Sequence, residues 1–489
     1  MAKRSRAKSV VNPQARYEAA GTGRRLKGWN PASTGPNKAI SNLNIIRNRT
    51  RDVGRNEWSG AAAVRSWTTN LIGTGIVPRP LTKNSALKLK LNALWNEWVR
   101  YADADGVLDF YGLQALGVRA WFSGGEFFVR IRPRRVEDGL TVPMQIQLIE
   151  SEQVPMLDAD NWPGMQVGNR IRSGVEIDRI GRRVAYWMYK AHPGDNAPLT
   201  INPQDIVRVP AQFVRHVYDP QRPGQLRGVS EMASVITRLR GVADFDDNVL
   251  ERQRLANLFT MFVTKAAPSG HEDQLAGMPL SYGAGGEPIA ALEPGMSQEL
   301  LPGEDVRFSE PPDAGANYAD FMRYQYLGVS AGQGLPYEIL SGDIKDISDR
   351  SLRVILNEFH RLCEQKQWLV IIPQMCQPVR DLWSDMAMLS GALSASEAVE
   401  AKNVRWSPQA FAYVHPVQDV QAKQTEVEAG FRSRASVISE MGYDPEDVDE
   451  ERAEDRQREE TLGLRVEPVA PTGNHDRDNQ DPNSELEGK

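Results

Sequence analysis

Apolar residues recur at helical spacing through three early blocks, and then the period drops to two. Across 41–70, Leu43, Ile46, Val53, Trp58, Ala62 and Trp67 form an irregular apolar face that ends at Gly73-Thr74-Gly75 and Pro78. A second block, 84–101, carries Leu87, Leu91, Leu94, Trp95 and Trp98 on one side, and a third covers 110–121. Residues 126–131 and 143–149 then alternate as strands do, 174–180 and 184–189 form a hairpin around Gly181-Arg182, and 206–209 and 214–218 add short strands. Helices followed by a mostly antiparallel sheet define an α+β class.

The helical period returns in 228–265, which holds no proline and carries Met232, Val235, Ile236, Leu239, Val242, Phe245 and Val249 at helical spacing. This predicts a helix of about 33 residues and about 50 Å. Residues 266–316 carry Gly and Pro at short intervals, and a second helical segment runs back over 317–327. The charged stretch 341–350 separates it from a helix over 351–372, with Leu352, Ile355, Phe359, Leu362 and Trp368 at helical spacing, which Pro373 is expected to interrupt. Further helices are expected over 379–389 and through the acidic 417–462. Residues 463–489 are polar and expected to be disordered.

Charge changes the picture more than composition does. The chain has 489 residues, 40% hydrophobic and 25% charged, with a net charge of −6. Residues 1–55 hold 13 Lys/Arg against two acids, a net of +11, so the remainder sums to −17; 416–462 alone holds 14 acids against six bases. The basic start, with Arg24, Arg25 and Lys27, is a candidate contact for an anionic partner or a solvated arm. No run approaches the ~18 apolar residues of a membrane span. The N-terminus lacks the apolar stretch of a signal peptide. Cys363 and Cys376 do not form a disulfide framework, which fits synthesis in a reducing cytosol.

Catalytic motifs are scarce. No Walker A sequence exists, so an ATP-driven motor is not expected, and the six histidines show no ligand spacing. His271-Glu272-Asp273 and the glycines near 21 and 283 read as loops. No cofactor is expected. Asp343, Asp346 and Asp349 at steps of three would line one face of a helix as a two-metal nuclease requires. Lys345 and Arg350 compete for those carboxylates. Asp246-Asp247, mid-helix, reads as a solvated or inter-subunit face.

Several stretches, taken in order, resemble the lambda-type portal proteins of tailed bacteriophages. They are Leu26-Lys27-Gly28-Trp29-Asn30-Pro31, Gly125-Glu126-Phe127-Phe128-Val129, the run from Arg222 to Ser230, the run from Leu301 to Val306, and Leu327-Gly328-Val329-Ser330 leading to Tyr337-Glu338-Ile339-Leu340-Ser341. The resemblance implies a portal fold with an α/β wing, a long helical stem, a small α/β clip and a short helical C-terminal crown. Carried across, 1–40 is a flexible basic arm, 41–227 and 351–400 the wing, and 228–265 with 317–340 the stem. Residues 266–316 would be the clip, 341–350 the tunnel loop, 401–462 the acidic crown-side region and 463–489 the tail.

The resemblance also implies a non-enzymatic dodecameric ring at one capsid vertex, in the virion and, during assembly, in the host cytoplasm. Double-stranded DNA would pass through it. The terminase large subunit, head-tail adaptors, major capsid protein and scaffold would be its partners, and no membrane is involved. Asp343, Lys345, Asp346, Asp349, Arg350 and Arg353 become DNA-channel candidates, and Met232, Leu239 and Phe245 pack the stem. Relatives carry Ser-Tyr-Ser-Ser/Thr-x-Arg after this loop. Here the run is Ser348-Asp349-Arg350-Ser351-Leu352-Arg353, so Arg353 keeps its place while charges replace the tyrosine and a serine. Sparse cations among carboxylates would guide DNA weakly instead of gripping it. The rival readings are a metal-dependent nuclease using the 343–349 acids and a monomeric binding module built on the basic arm.

Overall fold

The computed structural model describes residues 31–196, 201–256, 317–345, 347–411, 416–441, 443 and 445–463, together with four short strands inside 261–308. Arg24, Arg25, Lys27, Asp346, most of 266–316 and the tail from 464 lie outside the described residues.

Helices α1 (Leu43–Asn56), α2 (Trp58–Leu71), α3 (Ser85–Tyr101) and α4 (Phe110–Gly124) precede the first large sheet. Asn84 and Asp109 cap α3 and α4 by accepting from the backbone N–H of Leu87 and Gly112. That sheet is antiparallel, in the order β3 (Met144–Glu150), β2 (Glu126–Pro133), β8 (Val214–Tyr218). The alternation along β2 divides two cores: Phe127, Val129 and Ile131 face the helices, whereas Phe128 packs with Ile149, Val175, Tyr186, Met188 and Val214. The second core lies under a four-stranded sheet of β4 (Arg170–Arg172), β5 (Val175–Ile177), β6 (Arg183–Tyr189) and β7 (Ile206–Pro210). Trp67, Trp98, Trp121 and Trp383 are fully buried and serve as core residues, while Trp58 and Trp368 stay half exposed.

Past β8 the structure departs from the sequence reading. The expected 33-residue helix is shorter at both ends: α5 covers Ile236–Ala256, 21 residues and about 32 Å. Residues 231–235 form successive turns, in which Ser230 Oγ accepts from Met232 N (3.2 Å) and donates to Phe122 O (2.6 Å). A serine hydroxyl bonded to nearby backbone offers the chain an alternative to helix. At the far end Met261–Lys265 is a strand, β9, paired antiparallel with β12 (Glu304–Phe308); β10 (Leu280–Tyr282) pairs with β11 (Pro288–Ala290). The return helix α6 (Tyr318–Gln333) is longer than the 317–327 expected. It ends at Gly334, whose φ of +69° closes the last turn.

Pro373 does not interrupt the following helix. Helix α8 (Asp349–Lys366), reached after the short α7 (Tyr337–Ser341), runs through 367–376 into α9 (Gln377–Leu389). Residues 367–376 take a π turn, with Gln377 N donating to Ile372 O five residues back. The wider register absorbs the N–H that proline lacks. After α10 (Ala395–Lys402) comes β13 (Val404–Ser407), a strand absent from the sequence reading. It pairs with β1 (Val77–Pro80) and so binds the start of the expected crown-side region to the main body. Acidic helices α11 (Pro416–Glu428), α12 (Arg434–Glu440) and α13 (Pro445–Leu462) complete the described chain. Among the described residues no helix is long and apolar enough to cross a membrane.

Candidate nucleic-acid interface

The candidate loop begins where Gly342, with φ +72°, turns the chain out of α7. Its backbone is then stitched by side chains. Ser341 Oγ donates to Tyr337 O (2.8 Å) and accepts from Asp343 N (3.1 Å), and Asp343 Oδ1 accepts from Lys345 N (3.1 Å). Ser348 closes the loop by capping α8, accepting from Ser351 N at 3.2 Å. Asp349 therefore opens a helix, where a carboxylate favours the positive N-terminal end.

This geometry removes the shared face that the nuclease alternative would need and corrects one boundary of the loop. Asp343 and Asp349 do not share a helical face, because 342–345 is not helical. Asp349 and Arg350 belong to the helix instead of the loop, which its serine cap brings forward to residue 349. Lys345, Ile344 and Arg350 are exposed. Arg353, one turn into α8, lines a groove of about 1000 Å³ with Asn357, His360 and Arg405, opposite Glu426 and Glu440 of the C-terminal helices. The loop thus holds Lys345, the first turn of α8 holds Arg350, and Arg353 serves the groove.

Behind the loop stand the two long helices. Helix α6 runs antiparallel to α5, joined by Arg238 Nε donating to Gln325 Oε1 (3.0 Å) and by the Tyr318 hydroxyl donating to Asp246. The Asp246 bond, with partial burial, raises the Tyr318 hydroxyl to about 12. Two glycines one helical turn apart permit this approach. A Cβ on Gly328 would stand 2.2 Å from Arg238 Nη1, and one on Gly332 would stand 2.3 Å from Val235 Cγ1. Met232 and Leu239 are buried, Met232 in the turns before α5. Phe245 is 39% exposed and its ring packs on Tyr318 and Phe321 of α6, outside the main core.

Where the chain enters this pair of helices it is fastened by a buried ion cluster that sequence reasoning did not assemble. Glu126, fully buried at the start of β2, accepts from Arg227 Nε (2.7 Å), Gly228 N (2.7 Å) and His216 Nε2 (2.8 Å), and pairs with Ser151 Oγ. Arg227 spends its remaining N–H groups on the carbonyls of Val154, Ser173 and Ser151. Arg47 approaches Glu126 at 3.6 Å. Burial alone would raise the Glu126 carboxyl; Arg227 and His216 overcome it and hold the group well below the usual carboxylate range. Burial lowers His216 to about 4 against the pull of Glu126, and Arg183 Nη1 lies 3.1 Å from Nδ1, which suits a neutral imidazole accepting there.

Two glycines flank the cluster. A Cβ on Gly228 would meet Gly125 O at 2.0 Å, and one on Gly125 would meet Val229 C at 2.5 Å. The neighbouring pairs Gly125-Glu126 and Arg227-Gly228 were the available signal: each joins a charge to a residue that allows close backbone approach.

Among the described residues, Glu150, Glu152 and His192 also converge as candidate metal ligands. Arg51 already bridges them, at 2.8 Å from Glu152 and 3.4 Å from Glu150. Gly194 N donates to His192 Nδ1 at 3.1 Å, directing Nε2–H to Glu150. The group reads as an ion pair.

Residues 22–367 match the family described as phage portal protein, lambda family. The chain is 26% identical to a probable portal protein of Halomonas phage phiHAP-1 over 86% of this chain and 81% of the relative. It is 22% identical to the portal protein of Escherichia phage N15, and 21% identical to portal protein B of Escherichia phage lambda, each over 91% of this chain and 90% of the relative. Solved structures similar to it include the neck of a native GTA particle computed with C12 symmetry, at TM-score 0.44 and 13% identity, covering 81% of this chain and 94% of that one. A neck of an empty GTA particle computed with C6 symmetry gives TM-score 0.45 and 14% identity over 87% and 99%. With the family matched across most of its length, the chain belongs to the lambda family of phage portal proteins.

Proposed function

We propose that this chain is the repeating subunit of a portal ring, the structural head-tail connector at one capsid vertex through which double-stranded DNA is packaged and later leaves. Membership of the lambda portal family over residues 22–367 carries this reading. The α+β body up to β8, with α8 to α10, is the wing; α5 and α6 are the stem; the region between them is the clip; α11 to α13 are the crown side. Twelve copies close the ring by head-to-tail contacts. Half-exposed Trp58, Trp368 and Phe245 supply apolar area suited to such contacts.

In this ring Lys345 and Arg350 repeat around the bore as a sparse cationic belt among carboxylates. Such a belt holds phosphates weakly and independently of sequence. The clip meets the terminase large subunit during packaging and the head-tail adaptors afterwards, and the wing faces the major capsid protein and scaffold. Work is done on the DNA by a separate motor. No observation favours the nuclease alternative: Asp343 spends a carboxylate oxygen on its own loop.

The deciding measurement is light scattering and negative-stain imaging of the purified chain. Annular particles of about 650 kDa are expected from twelve copies of the 54.5 kDa chain. A subunit that stays monomeric at high concentration would contradict the ring.

A further inference from the structure

Strand β2 carries, beyond its apolar half, a row of arginines on one face: Arg130, Arg132 and, just past the strand's end, Arg134. Arg134 continues the ladder, its N–H donating to Pro143 O at 2.8 Å. Alternate residues of an antiparallel strand stand about 6.8 Å apart, so the row presents guanidinium groups at a regular step along a line. At Phe128 the same face is covered by the second sheet, but toward Arg134 it opens to solvent.

What these arginines touch separates them from others in the molecule. Arg132 donates to Gln147 Oε1 from Nε (3.1 Å) and Nη2 (2.5 Å), and Arg134 Nε donates to Gln145 Oε1 (2.8 Å). Both acceptors are neutral amides of the facing strand, which aim the forks without neutralising them. Arg130 stands opposite Gln147 and Val214 in the pairing register, and among the described residues it has no hydrogen-bond or ion-pair partner. Partial burial and then Arg132 lower Arg130; partial burial and then Arg134 lower Arg132, against the pull of Asp105. Asp138, close in sequence, is spent on the backbone N–H of Arg135. By contrast Arg172, Arg208 and Arg227 each meet a carboxylate.

Three like charges at fixed pitch, two of them oriented by amides and none paired with a carboxylate, repel one another. They gain most from a polymer that brings a regular series of anions, each a partner for a guanidinium fork. We propose that Arg130, Arg132 and Arg134 form a contact row for the phosphate backbone of double-stranded DNA, distinct from the loop at 342–348. The row reads no bases, since its donors lie on a sheet face and address phosphates alone.

The test is binding of a short fluorescent duplex to the full-length protein across a salt series. Each phosphate neutralised contributes about 0.9 to the slope of log affinity against log salt. The triple variant R130Q/R132Q/R134Q should lower that slope by about 2.7, and a triple Arg→Lys variant should restore it. If the Gln triple fails to fold, R134Q alone, at an exposed position, should remove about 0.9. An unchanged slope in a folded variant overturns the proposal. So does a polyglutamate peptide that outcompetes the duplex on the wild type but not on the Gln triple, which would assign the row to an acidic protein. Light scattering of the same samples reports the ring separately, so loss of the ring reading and loss of the row remain distinguishable.

Discussion

Glu126 and the arginines at 130, 132 and 134 stand on one strand, a few residues apart, and manage charge in opposite ways. Glu126 is enclosed and answered from three sides by Arg227, His216 and Gly228 N. The arginine row is half open and answered by amides that orient it without cancelling it. A charge fully matched inside the fold fastens elements together, here the sheet to the entry of the long helices. A charge aimed but left unmatched stays available to a partner outside the chain. The comparison can be broken at either end.

The largest effect is expected at the enclosed end. Arg227→Met leaves Glu126 buried without its main partner, and such a break costs about 3–5 kcal/mol. Chemical denaturation of the variant should show that loss. A change under 1 kcal/mol would mean the cluster is not the fastening it is taken for.

The same cluster sets a pH dependence. His216 ionises near 6.5 when unfolded and near 4 when folded, so between these values the unfolded chain binds a proton the folded chain refuses. Stability is thus fully present above pH 6.5 and falls as pH drops toward 4, by roughly 3 kcal/mol. Glu126, depressed below its ordinary value, extends the loss to still lower pH. Denaturation midpoints measured across pH 4 to 7 should show this slope, and His216→Gln should flatten it. A flat wild-type profile would remove His216 from the account.

How much of this was readable beforehand depended on the range of the signal. Periods of 3.6 and two are local, so β2, β3, β5 to β8, α3, α4, the α6 segment and the acidic helices could be drawn from the chain. By contrast β1 and β4 were too short to show alternation, and the block 41–70, read as one, divides into α1 and α2 at Glu57. The Glu126–Arg227 pair joins residues 101 apart, and no spacing rule reaches that far. The start of α5 was missed because apolar periodicity continued through Met232 and Val235 while Ser230 and Gly228 turned the backbone. The expected break at Pro373 failed because a π turn can host a proline that an α turn rejects. β13 was missed because four residues are too few to show alternation, and its partner lies at 77–80. For the candidate loop, the charged residues were legible, but the serine cap that moves Asp349 and Arg350 into a helix was not foreseen.

A middle effect separates the two glycine types on the long helices. Gly332→Val drives a side chain into buried Val235 and should destabilise by about 1–3 kcal/mol. Gly241→Ala, with nothing within 4 Å of the added Cβ, should be neutral or stabilise by up to about 1 kcal/mol through helix propensity. Thermal melts of the two variants, compared with ring yield, check whether α5 and α6 act as one packed unit. Equal effects would deny the close approach.

The smallest effect on stability is expected where charge is most exposed. Replacing Ile344 and Lys345 by serines, with Ser341, Gly342, Asp343 and Ser348 kept, leaves the side chains that stitch the loop in place. Surface changes of this kind shift stability by no more than about 0.5 kcal/mol. Rings should form in normal yield, because nothing buried is touched. Removing one cation per subunit removes a whole belt from the ring, so DNA packaging or retention should fall while the melt is unchanged. The arginine row predicts the mirror result, a lost salt slope for binding at β2. If the loop variant packaged and retained DNA as the wild type does, Lys345 would be a solvated lysine, and the unmatched charge that matters would be on β2 alone.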